Sequence, residues 1–261
     1  MPRYALLGAT GSTGSAILRR LSAESPLDLT VNVFVRSRSK LLTTFPDLES
    51  KSFKANIVEG TTSDEMAMSQ CLKDVDVILG CIGTNEPTKG MTLISDTASS
   101  IINALKEHQQ AQGAAYRKPT IIQLRSSSLN PYAAMPWVAR NMAWFIFHHI
   151  YKDLDNACKL YKSTTADNPG LLDYIFIDPP SIHDADGTTA TGYKLFLDVA
   201  KEKQEPAISY SDLGAAFCEI AERRAEFAGK GVFVSATGAV NMTWGPLMGY
   251  MGKGVKSRIL G

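Results

Sequence analysis

Three glycines near the amino terminus constrain the fold of this chain more than any other feature. They form the spacing G-x-x-G-x-x-G between the short apolar segment 3–7 and the helical pattern 15–21. In a strand–turn–helix of this kind, the first glycine takes the tight turn, the second lets a pyrophosphate approach the backbone, and the third lets the helix pack close to the sheet. Free N–H groups of the first helical turn then face the phosphates. The spacing predicts a dinucleotide-binding loop with these contact residues: Gly8, Thr10, Gly11, Ser12, Thr13 and Gly14.

A second signal, about 20 residues further along, indicates which dinucleotide binds. Segment 29–35 is apolar and β-branched, as a buried parallel strand should be, and residues 36–40 that follow it read RSRSK. A site that prefers NAD carries a carboxylate here for the ribose 2′-hydroxyl, whereas cations and hydroxyls suit the 2′-phosphate of NADP. We therefore predict NADP (NADPH) as the cofactor, with Arg36 as the best-placed residue and Arg38 as a second candidate. A solvated basic loop is the alternative.

The rest of the chain alternates between strand and helix patterns. Further strands are predicted over 53–60, 75–83, 120–124, 171–177 and 231–235, and helices over 65–72, 91–112 and 213–224, with 41–52 irregular. Such alternation is typical of an α/β fold with a Rossmann-like, doubly wound parallel sheet. We predict a single domain over 1–261, in which 181–261 forms a small C-terminal extension on the substrate side.

The strand predicted over 75–83 ends in a turn of small residues. Ligands of open α/β sheets bind at the carboxyl edge of the strands, so Gly83 and Thr84 are expected beside the cofactor, a plain loop being the alternative.

Composition excludes several other classes of protein. The net charge of +1 provides no overall field toward nucleic acid or an acidic membrane, so we expect no nucleic-acid partner. The four cysteines are scattered without metal-ligand spacing, as in a reduced, cytoplasmic protein, and we expect no metal site. No apolar run reaches the roughly 18–20 residues of a membrane span, and a strand beginning near residue 3 argues against a signal peptide. Nothing in the sequence specifies an oligomeric state.

The sequence GATGSTG at 8–14 resembles the fingerprint of the extended and atypical short-chain dehydrogenases/reductases, including NmrA-like and biliverdin-reductase-B-like proteins. The resemblance includes Arg36, the turn at 83–85, the serines after the fifth strand and the stretch 173–180. Segments 150–154 and 208–213 are similar to a fungal, averufin-oxidase-like subgroup associated with secondary-metabolite gene clusters. The resemblance implies an NADP-dependent oxidoreductase.

That family normally uses a Tyr-x-x-x-Lys pair after the fifth strand and a serine near the end of that strand. The tyrosine exchanges a proton with the substrate oxygen, and the serine hydrogen-bonds the carbonyl. The lysine lowers the pKa of the tyrosine and holds the nicotinamide ribose of the cofactor. Here the serine is one of 126–128, with Ser127 as the central candidate, and Lys152 matches the lysine. His148 stands where the tyrosine is expected, and Tyr151 is next to the lysine.

Three hypotheses follow from this departure. His148 could replace the tyrosine, since its ordinary pKa is close to neutral. Tyr151 could serve instead. Alternatively, hydride chemistry is lost, and the fold supports an isomerase, cyclase or dehydratase that uses His148 and a carboxylate such as Asp178, or an NmrA-like regulator that binds dinucleotide. Packing without a catalytic role is the alternative for both histidines at 148–149.

Segment 136–151 is very apolar and lies where the family has its active-site helix. A large apolar, aromatic substrate such as a polyketide would suit this lining, and a small molecule of that kind is the predicted partner. A buried core helix is the alternative, whereas a membrane-surface helix would need more positive charge than this segment carries.

Overall fold

A parallel-dominated sheet organises the computed structural model, which describes residues 1–24, 28–51, 53–84, 86–184, 188–242 and 244–260. The strands are β1 (Arg3–Leu7), β2 (Thr30–Val35), β3 (Lys54–Glu59), β4 (Val77–Gly80), β5 (Thr120–Leu124), β6 (Asp173–Asp178), β7 (Ser181–His183), β8 (Tyr193–Phe196), β9 (Ala207–Ser209) and β10 (Gly231–Ala236). The helices are α1 (Ser12–Glu24), α2 (Arg38–Thr44), α3 (Glu65–Leu72), α4 (Leu93–Gln112), α5 (Trp137–Ile146), α6 (His148–Asp167), α7 (Tyr210–Glu222), α8 (Arg224–Phe227) and α9 (Trp244–Leu260).

The order of the main sheet is β3-β2-β1-β4-β5-β6-β10-β8. All neighbours are parallel except β8, which pairs antiparallel with β10. The order reverses between β1 and β4, which is the switch point where open α/β sheets bind ligands. The predicted Rossmann-like, doubly wound fold is therefore confirmed. A short parallel pair, β7 and β9, lies outside the main sheet.

Two apolar clusters fill the two faces of this sheet. Successive residues of a strand point to opposite faces, and Leu6 and Leu7 of β1 accordingly belong to different clusters. The cluster with Leu6 includes residues of α1 and α7, and the cluster with Leu7 includes residues of α3, α4 and α6. A Cβ on Gly214 would lie 2.7 Å from the backbone carbon of Ala16, so only glycine permits this close packing of α7 on α1.

Three regions differ from the sequence prediction. Residues 41–52 are not irregular throughout, because Ser37 caps α2 by accepting a hydrogen bond from the Lys40 amide at 3.2 Å. Leu41 is buried and anchors that helix. The region after Pro180 contains the short strands β7, β8 and β9, whose three or four residues are too few for a clear period. Residues 244–260, at the end of the predicted C-terminal extension, form a helix, α9, in spite of their glycines.

In the part of the chain that the structure describes, no helix is both long and apolar enough to cross a membrane.

Candidate cofactor and active site

The glycine loop has the shape that its spacing predicts. Gly8 has a φ of +92°, and a Cβ there would lie 2.8 Å from the Cys81 carbonyl oxygen on the neighbouring strand connection. The Gly11 amide donates to the Gly8 carbonyl at 2.9 Å, and a Cβ on Gly14 would lie only 2.2 Å from that same oxygen. The loop is therefore closed on itself at the start of α1, which leaves a cradle of backbone without side chains for a pyrophosphate.

The hydroxyl residues of this loop differ in accessibility. Ser12 is exposed, Thr10 is half-buried and Thr13 is buried. Burial raises the pKa of Tyr210, the first residue of α7, and the nearby Ser12 side chain opposes the rise. The Ser15 hydroxyl donates to the Ala9 carbonyl at 2.9 Å and fixes the loop from inside, a contact that the glycine spacing does not reveal.

The cations after β2 have different partners. Arg38 forms an ion pair with Glu49, and Ser37 is occupied as the cap of α2. Arg36 is exposed and has no carboxylate partner among the described residues. Arg36 is therefore available to an anionic ligand, whereas Arg38, the other candidate from the sequence, is already paired with Glu49.

The turn after β4 lies at the same edge of the sheet as the glycine loop, because β1 and β4 are parallel neighbours. Gly83 is exposed, and a Cβ there would meet nothing within 4 Å. The Thr84 hydroxyl accepts a hydrogen bond from the Glu86 amide at 3.0 Å. Residue 85, which the sequence placed in the same turn, lies outside the described residues.

A serine and a tyrosine meet at the end of β5. The Ser126 hydroxyl lies 3.2 Å from the Tyr151 hydroxyl on α6, and both side chains are half-buried. Ser127, the central candidate from the sequence, is only 2 % exposed, and its amide donates to the Pro179 carbonyl. The structure thus brings Ser126 rather than Ser127 to the tyrosine, because the backbone of Ser127 is bound to the segment after β6.

The tyrosine is held in place by a buried carboxylate that sequence reasoning missed. Asp153, two residues further along α6, is 1 % exposed and accepts hydrogen bonds from the Ile94 and Ser95 amides at 2.8 and 3.0 Å. It also accepts one from the Ser95 hydroxyl at 2.5 Å. These are the free N–H groups of the first turn of α4, so Asp153 caps that helix from another element. The start of α6, with Tyr151, is thereby fixed against α4.

Two aromatic rings pack beside the Tyr151 ring. Trp144 of α5 meets the Tyr151 ring edge-on, with centroids 5.7 Å apart, and the Phe147 ring lies 5.5 Å away. This pairing gives the half-buried hydroxyl an apolar wall on the α5 side.

The other two catalytic candidates lie apart from this pair. His148 stacks edge-on against His149 at 5.1 Å, and Lys152 is exposed. Burial lowers the pKa of His148, and the charges of Arg258, His149 and Lys152 lower it further. Within the described ranges, neither His148 nor Lys152 hydrogen-bonds Ser126 or Tyr151.

Asp178, the carboxylate suggested for redox-silent chemistry, does not face a substrate. It is 0 % exposed and accepts hydrogen bonds from Arg125 and Asn130, at 2.5–2.6 Å. Burial raises the pKa of Asp178, and the hydrogen bonds from both partners act against that rise. The interpretation of Asp178 as an accessible acid or base is therefore wrong, because its oxygens are taken up by a buried ion pair.

Helix α9 lies at this edge of the sheet and contacts three segments there. Lys253 pairs with Glu86 in the connection after β4, and the His149 ring nitrogen lies 3.4 Å from the Ser257 carbonyl oxygen. A Cβ on Gly254 would lie 2.1 Å from the Ile146 carbonyl, so α9 contacts α5 backbone to backbone.

Comparison with known proteins agrees with this geometry. A family model described as NAD(P)H-binding matches residues 8–224. The chain is 46 % identical over 264 residues to averufin oxidase A of Dothistroma septosporum, covering 99 % of this chain and 92 % of that protein. It is 42 % identical over 269 residues to averufin oxidase stcO of Emericella nidulans, covering 97 % and 89 %. A short-chain dehydrogenase/reductase of Veillonella parvula, solved with NADP, shares the fold with a TM-score of 0.67 at 16 % identity, covering 91 % of this chain and 95 % of that one.

Proposed function

We propose that this chain, which belongs to the NAD(P)H-binding family and is an oxidoreductase, transfers hydride between NADP(H) and an apolar, polycyclic aromatic metabolite. The observation that carries the proposal is the 3.2 Å contact between the hydroxyls of Ser126 and Tyr151 at the carboxyl edge of the sheet. When a carbonyl carbon gains a hydride, its oxygen must take up a proton, and the reverse reaction removes one. A phenol can exchange that proton while a neighbouring serine hydroxyl hydrogen-bonds the same oxygen.

The residues around the glycine loop fit NADP(H). Gly8, Gly11 and Gly14 leave the backbone open to a pyrophosphate, and the exposed Arg36 is free to pair with a 2′-phosphate. When bound, the nicotinamide supplies or accepts the hydride. The turn at 83–84 follows β4, the parallel neighbour of β1, and this position supports its proposed place beside the cofactor.

In this mechanism, Tyr151 donates its phenolic proton to the carbonyl oxygen during reduction and takes a proton back during oxidation. The Ser126 hydroxyl hydrogen-bonds the same oxygen and keeps the tyrosine oriented. The residue four positions after Tyr151 is Asp155, which pairs with Lys159 at 2.6 Å, so no lysine assists the tyrosine from the usual position. Asp153 maintains the orientation of Tyr151 through its contacts with α4.

The substrate class is inferred from the wall around Tyr151. Trp144 and Phe147 provide flat, apolar surfaces beside the reacting hydroxyl, which favour stacking with a planar aromatic molecule. Because the curated relatives are named averufin oxidases, averufin is the first compound to test.

The experiment follows NADPH absorbance and product formation together, with averufin and related aromatic ketones, for the wild type and Tyr151→Phe. General acid–base groups contribute about 10²- to 10⁴-fold, so kcat should fall by at least about 100-fold in Tyr151→Phe while the Kd for NADPH is unchanged. His148→Gln is the matched control from the same helical turn and should retain most of kcat. Full activity of Tyr151→Phe, or substrate conversion at constant NADPH and NADP, would contradict the proposal.

A further inference from the structure

Helices α1 and α7 lie side by side and run in the same direction, because each leads into a strand of the parallel part of the main sheet, β2 and β10 respectively. A Cβ on Gly214 of α7 would lie 2.7 Å from the backbone carbon of Ala16 and 2.9 Å from the Ile17 nitrogen. This close contact fixes the register of the two helices. Residues four positions earlier on each helix, about one turn back, therefore lie level with one another.

The residues one turn back are Tyr210 on α7 and Ser12 on α1. The pKa of Tyr210 agrees with this placement, since burial raises it and the neighbouring Ser12 side chain lowers it. One turn in the other direction gives the same register: burial and the charge of Glu24 raise the pKa of the Cys218 thiol, and the charge of Arg20 opposes the rise. Tyr210 therefore stands beside the first turn of α1, where the glycine loop ends.

The surroundings of Tyr210 leave its hydroxyl suited to an anion. Burial, with Tyr250 of α9 nearby, raises the pKa of the half-buried Tyr210, so the phenol is protonated at neutral pH and can donate a hydrogen bond. The carboxylate in the same helical turn, Asp212, is 2 % exposed. It accepts hydrogen bonds from the Thr191 and Gly192 amides at 2.9 and 3.0 Å, so its charge is compensated by these donors.

We propose that the Tyr210 hydroxyl binds the pyrophosphate of the dinucleotide, which is then held between the first turn of α1 and the start of α7. The glycine loop brings the phosphates to the first turn of α1, and Tyr210 is level with Ser12 in that turn. The phenol adds a charge-assisted hydrogen bond from a second helix. The inference rests on the cofactor-binding part of the proposed function and is independent of hydride transfer.

The test is calorimetric titration of the wild type and Tyr210→Phe with NADPH, NADH and adenosine 2′-phosphate. Loss of a hydrogen bond to a charged group weakens binding by roughly 10- to 150-fold, so the Kd for each dinucleotide should rise by that factor. The two losses should be equal, because both dinucleotides carry the pyrophosphate. Adenosine 2′-phosphate has no pyrophosphate, and its Kd should be unchanged. Arg36→Ala should give a different pattern, in which only the ligands with a 2′-phosphate bind more weakly.

Tyr193→Phe is the matched control. The Tyr193 hydroxyl donates to Glu219 at 2.8 Å, so this variant also removes a phenol that contacts α7, but two turns beyond the residues beside the glycine loop. It should leave the Kd for all three ligands unchanged. A loss of dinucleotide affinity as large as that of Tyr210→Phe would show that the packing of α7, rather than the Tyr210 hydroxyl, determines binding, and would overturn the proposal.

Phosphorus NMR of bound NADP provides a second measurement. The pyrophosphate resonances should differ between the wild type and Tyr210→Phe, whereas the 2′-phosphate resonance should not. Unchanged dinucleotide affinity in Tyr210→Phe, or an equal loss for adenosine 2′-phosphate, would overturn the proposal, because the phenol would then be a packing residue. A wild type that binds neither dinucleotide would refute the cofactor site as well. Dinucleotide binding that depends on Tyr210, without turnover of any aromatic ketone, would support this inference and count against hydride transfer alone.

Discussion

The Arg125 guanidinium holds the Asp178 carboxylate in a bidentate ion pair, with Nε to Oδ1 at 2.6 Å and the second nitrogen to Oδ2 at 2.5 Å. Both residues are buried, at 9 and 0 % exposure. Asn130 donates a third hydrogen bond, and the guanidinium lies 4.8 Å from the centre of the Phe176 ring. The cluster joins the ends of β5 and β6 through residues that precede and follow Ser126 in the chain, so it restricts the position of that serine.

Removing one partner of this ion pair should lower the free energy of unfolding far more than replacing both partners. Asp178→Leu leaves a buried, uncompensated guanidinium, and we expect the free energy of unfolding to fall by about 3–5 kcal/mol. Arg125→Met combined with Asp178→Leu should recover most of that loss, because both charges are gone and the volume is filled. Urea unfolding of the two variants measures the difference. Lys159→Met, which breaks the exposed pair with Asp155, is the control and should cost under about 1 kcal/mol. A single-variant cost as small as this control would show that the pair contributes little.

Cofactor selectivity should depend on Arg36. Removing a charge-assisted hydrogen bond costs about 1.5–3 kcal/mol, so Arg36→Ala should raise the Kd for NADPH by roughly 10- to 150-fold and leave the Kd for NADH almost unchanged. Calorimetric titration with both dinucleotides measures this. Arg38→Ala is the control: since Arg38 is engaged by Glu49, its effect should be several-fold smaller. Equal losses for NADPH and NADH in Arg36→Ala would contradict the assignment of the 2′-phosphate site.

Alanine substitutions at two glycines of the loop should affect protein stability and cofactor binding differently. A Cβ on Gly14 would overlap the Gly8 carbonyl at 2.2 Å, so Gly14→Ala should cost about 1–3 kcal/mol of stability as well as cofactor affinity. A Cβ on Gly11 would lie 3.3 Å from that oxygen, so Gly11→Ala should unfold close to the wild type. Its methyl group would nevertheless stand where the pyrophosphate approaches, and NADPH binding should weaken by at least about tenfold. Thermal unfolding and dinucleotide titration of both variants provide the readouts; unimpaired binding by Gly11→Ala would mean that the loop is not the phosphate site.

The features predicted from the sequence are those encoded by neighbouring residues. The glycine loop, the cations after β2 and the serines after β5 each lie within a few positions of a strand end, and the doubly wound parallel sheet follows from the alternation of strands and helices. The cofactor side of the site was therefore accessible from local pattern. Which serine meets the tyrosine could not be predicted from local pattern. It depends on the hydrogen bond between the Ser127 amide and the Pro179 carbonyl after β6, which leaves Ser126 to contact Tyr151.

The remaining features depend on contacts between distant residues. Asp153 caps α4 through Ser95, 58 positions earlier in the chain, and no local pattern distinguishes it from an exposed helical aspartate. Asp178 could be interpreted as a substrate-facing acid because its partner Arg125 is 53 positions away. Helix α9 was missed since glycines disfavour helices in isolation, whereas here Gly254 permits the close approach to Ile146.

His148 should affect the pH dependence of stability more than catalysis. Its pKa in the folded chain is lowered by burial and by the charges of Arg258, His149 and Lys152. The unfolded state therefore binds more protons than the folded state as the pH falls through the ordinary histidine pKa of about 6.5. Because of this difference, the free energy of unfolding decreases as the solution becomes acidic. His148→Gln should lose less stability than the wild type between neutral and mildly acidic pH, a small effect because the ring is partly exposed. Arg258→Met should reduce the loss in the same direction, since it removes one of the opposing charges. Urea midpoints at the two pH values measure this, and kcat of His148→Gln is measured in parallel. If that kcat fell by about 100-fold or more, His148 rather than Tyr151 would be the acid–base group.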